Sequence, residues 1–120
     1  MNKIEALDYF WNSFGLIAYD ATSVPDNAQL PYITYEASFD GFGSAIAQTA
    51  NLWYRGTSWK PISLKELEIA KAIGRGGMMV SYDEGAFWIR KGTPWAQRLT
   101  SENDDTIRRI VLNVEIEFID

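Results

Sequence analysis

The chain contains no cysteine and no histidine. The first absence removes disulfides, thiol nucleophiles and thiolate zinc sites, and is compatible with a reducing compartment. The second removes the side chain most often used as a general base near neutral pH and the commonest transition-metal ligand. Most hydrolase and metalloenzyme mechanisms are thereby closed, so no catalytic residue, metal-ligand set or cofactor is expected. Long apolar runs are missing too. No window approaches the roughly 20 apolar residues of a membrane helix. Lys3 is followed by Glu5 and Asp8 rather than by an apolar stretch, so no signal peptide is expected. The expectation is a soluble protein with no membrane partner. Positive charge is also scarce, with 11 Lys and Arg against 16 Asp and Glu and a formal net charge of −5. That balance opposes general nucleic-acid binding, because neutralising phosphates needs a basic surface. It remains compatible with a protein that lets DNA pass without adhering to it.

What is present describes one folded unit. The 120 residues are 47 % hydrophobic and show no internal repeat, linker or low-complexity tract, which predicts a single domain over 1–120. The strongest pattern runs from Ile107 to Ile119. Ile110, Leu112, Val114, Ile116 and Phe118 alternate with Arg109, Asn113, Glu115 and Glu117, giving a strand with one apolar and one wet face. At about 3.3 Å per residue it would run roughly 40 Å, against a diameter of roughly 35 Å for a compact domain of this length. Such a strand reaches the rim of its own fold, and its edge suits contact with another subunit.

The other elements follow from shorter signals. Asn2 and Glu5 form a capping-box pattern ahead of a stripe of Ile4, Leu7, Phe10, Trp11 and Phe14, which predicts a helix ending near Gly15. After a turn-rich segment, Pro31 to Phe39 reads as a strand by its aromatic and β-branched content. Asp40-Gly41-Phe42-Gly43 breaks it, placing Phe42 on a protruding tip, and a second strand runs from near Gln48 through Arg55. Ser63 and Glu66 form a second capping-box pattern, with Leu64, Leu67, Ala70 and Ile73 as the core side of a helix that Gly74 ends. Met78 to Tyr82 and Phe87 to Lys91 read as a hairpin around Asp83-Glu84-Gly85. Gly92 to Asp105 reads as a long polar loop. This order predicts an α+β fold, a mostly antiparallel sheet with two helices packed on one face.

Few residues invite chemistry. Glu115 and Glu117 share a strand face with Cα atoms roughly 6.5–7 Å apart, a spacing open to acid/base work or cation binding, but no surrounding apolar pocket is apparent. Gly74-Arg75-Gly76-Gly77 follows a helix instead of preceding one, so it reads as a helix stop and not as a phosphate cradle. Trp95 stands in the polar loop between Pro94 and Ala96, where an aromatic suits anchoring to a protein partner. Arg98 and Asp104 lie in opposite-charge segments of that loop, suited to ion pairs within it or between neighbouring subunits. Trp59, Trp88 and Trp95 offer a second reading, a stacking platform for a carbohydrate-binding module.

An N-terminal amphipathic helix, the segment Leu30-Pro31-Tyr32-Ile33-Thr34-Tyr35, a strand with Trp53-Tyr54, one capped helix, a hairpin and a long C-terminal strand follow one another. In this order the chain resembles the tail-completion proteins of long-tailed bacteriophages, namely tail terminators and head–tail joining proteins. The resemblance implies a non-enzymatic virion subunit of the tail or neck, made in the host bacterial cytoplasm. It implies a homo-oligomeric ring, commonly a hexamer, that caps the tail tube and docks the head connector while DNA passes through without specific binding. Interface candidates are then Phe42, Trp95, Arg98, Asp104 and the edge of the final strand, with Glu115 and Glu117 facing the lumen.

Overall fold

A computed structural model describes residues 1–41, 43–101 and 103–120. Phe42, the expected tip residue, lies outside the described residues, as does Glu102. Helix α1 spans Lys3–Trp11 and runs into a 3-10 turn over Asn12–Phe14. Strands β1 (Ala18–Asp20), β2 (Tyr32–Tyr35) and β3 (Ala45–Arg55) precede α2 (Lys60–Ile73), and β4 (Met78–Tyr82), β5 (Gly85–Thr100) and β6 (Ile107–Ile119) follow it. They form one curled six-stranded sheet in the order β1-β2-β3-β6-β5-β4, antiparallel except for the parallel pair β1–β2. The fold is α+β, as the sequence predicts. Among the described residues no helix is long and apolar enough to cross a membrane.

Strand β6 sits where its alternation places it and also sets the frame. Its even residues Ile110 to Phe118 are all buried, each contributing roughly 1.5–3 kcal/mol by leaving water. Their face continues through Ala50 and Leu52 of β3 and Phe87 and Ile89 of β5, which lie level with them. Both helices pack on this face. Phe10 of α1 meets Phe87 edge-on at 6.2 Å between ring centroids, Phe87 lies 5.8 Å from Phe118, and Ile62, Ile69 and Ile73 of α2 are buried beside them. The long dimension of the molecule is 43 Å, so β6 crosses nearly all of it. Its edges, however, are not free. β3 pairs with β6 from Ile107 to Glu117 and β5 flanks its other side, so β6 is interior and its backbone is not available to a second subunit.

Several local expectations give way to stronger physics. The Asn2–Glu5 capping box forms as predicted, with both reciprocal bonds, at 2.8 and 3.0 Å, but Ile4 is exposed because the core stripe begins at Ala6 and Leu7. Helix α2 starts at Lys60, four residues before the position the Ser63–Glu66 pattern suggested. Ser58 Oγ accepts the Lys60 N–H (3.0 Å), and Pro61 sits in the first turn, where its missing N–H costs nothing. Ile62, Ile69 and Ile73, spaced seven and eleven residues along the helix, share the inward face, while Leu64 and Leu67 fall on the opposite side of the turn and face solvent. Strand β2 is shorter than Pro31–Phe39, and the turn-rich segment hides β1, a strand too short to show alternation. The Ile33 N–H to Ile17 carbonyl bond (3.0 Å) helps hold it to β2.

The largest correction concerns Gly92 to Asp105. Its first nine residues continue β5 to Thr100 and are not a loop. Lys91 stands opposite Val114 and Ala96 opposite Leu112, so Gly92 to Trp95 oppose the single residue Asn113 as a four-residue bulge. Asn113 Nδ2 donates to the Pro94 carbonyl (2.9 Å) and closes the bulge. A side chain at position 92 would press against the Asn113 backbone, its Cβ 3.1 Å from the carbonyl oxygen, which accounts for Gly92.

Candidate assembly surface

The sheet face opposite the helices carries the odd residues of β6 and their neighbours. Three clusters lie along it. At one end Trp88 donates its indole N–H to the Gly76 carbonyl (3.0 Å), the Arg90 guanidinium stacks 4.6 Å from the Trp88 ring centre, and Arg90 Nη2 lies 3.4 Å from Glu115 Oε2. Glu117 stands level with Trp88 on one side and Ala45 on the other. At the other end Arg109 Nε donates to Asn51 Oδ1 (2.8 Å) while its guanidinium stacks on Trp53 at 4.8 Å, and Trp53 donates to Thr34 Oγ1 (2.9 Å). Tyr19 and Tyr32 complete the row, edge to face at 5.6 Å. The aromatic and arginine side chains there are half-buried against one another, held by hydrogen bonds and cation–π contacts of roughly 0.5–1 kcal/mol each.

Glu115 and Glu117 therefore lie on the uncovered face, at its acidic end. The Arg90–Glu115 pair is solvent-exposed on the carboxylate side, and such pairs contribute little stability. The same face is basic at its other end, through Arg109 and Arg55, so its charge is graded along the strands. The grouping of Trp53, Arg109, Asn51 and Thr34 was not foreseen. Its sequence signal is the alternation of Asn51 with Trp53 in one strand and Arg109 with Val111 in another, which places them on one face once the register is known.

Trp95 and Arg98 belong to the helix side. Trp95 packs partly buried against the core and donates its indole N–H to Glu66 Oε2 (3.1 Å); Arg98 Nη2 lies 3.3 Å from Ser63 Oγ and its guanidinium stacks 4.9 Å from the Trp59 ring centre. The Ser63–Glu66 pair, expected to cap α2, instead docks the second half of β5 onto it. Between them runs a groove of about 310 Å³ lined by Ser63, Leu67, Gln97, Arg98 and Ile110. Arg108 stacks on the same Trp59 ring at 5.3 Å and donates to the Thr57 carbonyl (2.8 Å). Trp95 is thus a bulge residue partly turned into the fold, since a half-buried indole with a hydrogen-bond partner is more stable than one held in water.

Asp104 lies apart from Trp95 and Arg98 in role. Its Oδ1 accepts the Thr106 N–H (2.9 Å) and hydroxyl (2.6 Å), closing the turn before β6, and Oδ2 lies 3.5 Å from Arg55 Nη1. The Thr106 hydroxyl, its N–H and then Arg55 hold the carboxyl below the usual carboxylate range. Its ion pair is made within the subunit.

The three tryptophans considered as a sugar platform do not share a surface. Trp88 is on the uncovered sheet face, while Trp59 and Trp95 are on the helix side. Gly77, with φ at +88°, lets the chain pass against Trp88: a Cβ there would lie 2.4 Å from the indole nitrogen. Gly74, at φ +77°, donates its N–H to the Ala70 carbonyl (2.9 Å) and ends α2, as the sequence predicts. Among the described residues, no group of three or more His, Cys, Asp or Glu is placed to hold a metal ion. Compared with models of known protein families, with curated proteins and with solved structures, the chain matches none.

Proposed function

We propose that this chain is a non-enzymatic structural subunit of a bacteriophage or prophage virion, a tail terminator or head–tail joining protein. Copies of it form a ring, a hexamer if it follows the proteins it resembles, that caps the tail tube and docks the head connector. The reading rests on the element order that resembles those proteins and on one structural observation that carries it. A six-stranded sheet whose central strand crosses nearly the whole molecule has helices on one face and an open, side-chain-ordered second face. A subunit that buries its core on one side of a sheet keeps the other side for a shared surface.

The acidic end of that face, with Glu115 and Glu117, is the part assigned to the lumen, where negative charge limits adhesion of passing DNA. Native mass spectrometry of the purified chain, alone and mixed with a tail-tube protein, tests the proposal. A closed oligomer in either sample is expected. A strict monomer in both at millimolar concentration overturns it.

A further inference from the structure

Among the described residues β1 and β4 are the edge strands of the sheet, and β3 and β5 each continue past the end of their outer neighbour. On one side β2 pairs with β3 only along Ala50–Trp53, so Ala45–Ala47 lies beyond it, bonded to β6 alone. Glu36 donates its N–H to the Thr49 carbonyl (3.0 Å), which fixes the outward direction of the Thr49 backbone groups. By the two-residue alternation of a strand, the N–H and C=O of Ala47 and Ala45 point outward as well. On the other side β4 pairs with β5 only along Gly85–Ile89, and Ala96–Thr100 continues past the bulge with β6 alone. Among the described residues, neither Ala45–Ala47 nor Gln97–Thr100 makes a backbone hydrogen bond outside the ladder with β6.

The two open edges are complementary. From Gly43 to Leu52 the chain has no charged residue and no proline, so the β3 edge lacks the devices that usually keep strand edges apart, and Ala45 and Ala47 are small and exposed. On β5, four consecutive residues, Gln97 to Thr100, are exposed, and Leu99 presents an apolar side chain at 39 % exposure. Glu36 bonds to Thr49 at the β3 edge, and Glu115 and Glu117 stand opposite Ala47 and Ala45. Arg98 lies on the β5 edge itself, and Arg108 and Arg109 stand opposite Thr100 and Leu99.

We infer that the open β5 edge of one subunit pairs with the open β3 edge of a second copy of this chain, so that the sheet continues from subunit to subunit. The inference rests on the assembly reading above and specifies its interface. Pairing β5 with β5 across a two-fold axis would gather arginines from both copies, whereas the head-to-tail contact joins edges of opposite charge and small against larger side chains. Both strands run antiparallel to β6, so β3 and β5 are parallel within the subunit. Subunits in like orientation then meet in parallel register. The free stretches stand at opposite ends of β6, their centres about six residues apart or roughly 20 Å along the strands. A ring made this way closes only with its strands tilted to its axis, as the shear of a barrel requires.

The absence of cysteine makes the test direct. Single variants with cysteine at Ala45 or Ala47 are mixed with single variants bearing cysteine at Gln97 or Leu99 and oxidised, because paired strands bring Cα atoms within disulfide reach. A mixed β3–β5 disulfide is expected from the pair in register, and a chain carrying both cysteines should give a ladder of multimers. Ala47→Pro, which removes one outward N–H, should keep its near-ultraviolet circular dichroism and lose the oligomer. Oligomers that form with only β5–β5 disulfides, or with none, overturn the edge pairing and leave the ring reading standing. A protein that stays monomeric at millimolar concentration, alone and with the tube protein, overturns both.

Discussion

Gly85–Ile89 and Ala96–Thr100 belong to the same strand, yet the first stretch is flanked by β4 and β6 and the second by β6 alone. In the first, Phe87 and Ile89 are fully buried. In the second, every residue after Ala96 is exposed. One stretch is held by its side chains, the other by main-chain bonds to β6 and by two anchors on α2, Trp95 to Glu66 and Arg98 to Ser63. A strand can therefore change its job partway along. The half inside the core fixes the fold, and the half beyond the bulge is left with one edge of backbone groups that the sheet does not pair.

The comparison breaks first where the shared core is attacked. Ile116, level with Ile89 across β6–β5, is fully buried. Ile116→Asp would bury an unpaired carboxylate at a cost comparable to the entire stability of a small domain, about 5–15 kcal/mol. Loss of the cooperative thermal transition by circular dichroism is the expected result. Next, Phe87→Ala removes the ring that joins α1 to β6 and should cost about 3–5 kcal/mol in urea unfolding. A loss below 1 kcal/mol would mean that the first half of β5 is no more essential than the second.

Those core positions are also the ones the sequence exposes most plainly. Alternation from Ile110 to Phe118 is visible because burial acts on side chains, and side chains are what a sequence displays. The Asn2–Glu5 cap is visible for the same reason. Main-chain pairing has no such signature. Gly92-Thr93-Pro94 carries every mark of a loop, yet Asn113 closes it as a bulge and β6 holds the polar stretch beyond it as strand. Leu64 and Leu67 mislead for a related reason. The Ser63–Glu66 pattern has the spacing of a cap, but those side chains are engaged by Arg98 and Trp95, partners more than thirty and nearly thirty residues away. The clusters on the open face require the register of β3 against β6, which no single segment contains.

Titration sharpens the contrast between core and periphery. Tyr35, buried on the helix face, donates a hydrogen bond from its hydroxyl to Asp8 Oδ1 (2.7 Å). Burial first, and then that bond, push its pKa far above the ordinary phenol value of 10.0. A group whose folded pKa is raised contributes stability that is full below the unfolded value and is lost as pH rises past it. The wild type should lose stability above about pH 10, and Tyr35→Phe should flatten that loss while costing about 1 kcal/mol at neutral pH from the missing hydrogen bond. Asp104, on the turn leading into β6, has the opposite sign. Its pKa is lowered, chiefly by the Thr106 hydroxyl, so its contribution is full above about pH 4 and disappears as pH falls through the lowered value. Asp104→Asn should remove that acid dependence with a smaller change in melting temperature than Tyr35→Phe produces. An equal or larger change would place the turn among the elements that secure the core.

The smallest effect on folding is expected at the far end of β5. Leu99 lies on the open face opposite Arg109 and is 39 % exposed, so Leu99→Asp removes little buried surface and adds a carboxylate near a guanidinium. Its urea midpoint should stay within about 0.5 kcal/mol of the parent. The assembly readout should move far more. An acidic side chain set on the β5 edge would meet the acidic surroundings of the β3 edge in the next copy, Glu36 and Glu117, and unlike-charge contact would become like-charge repulsion. Native mass spectrometry should then show the folded monomer where the parent gives an oligomer. If Leu99→Asp destabilised the monomer as much as Phe87→Ala, the two halves of β5 would be one structural unit, and the division between a folding half and an assembling half would have no basis.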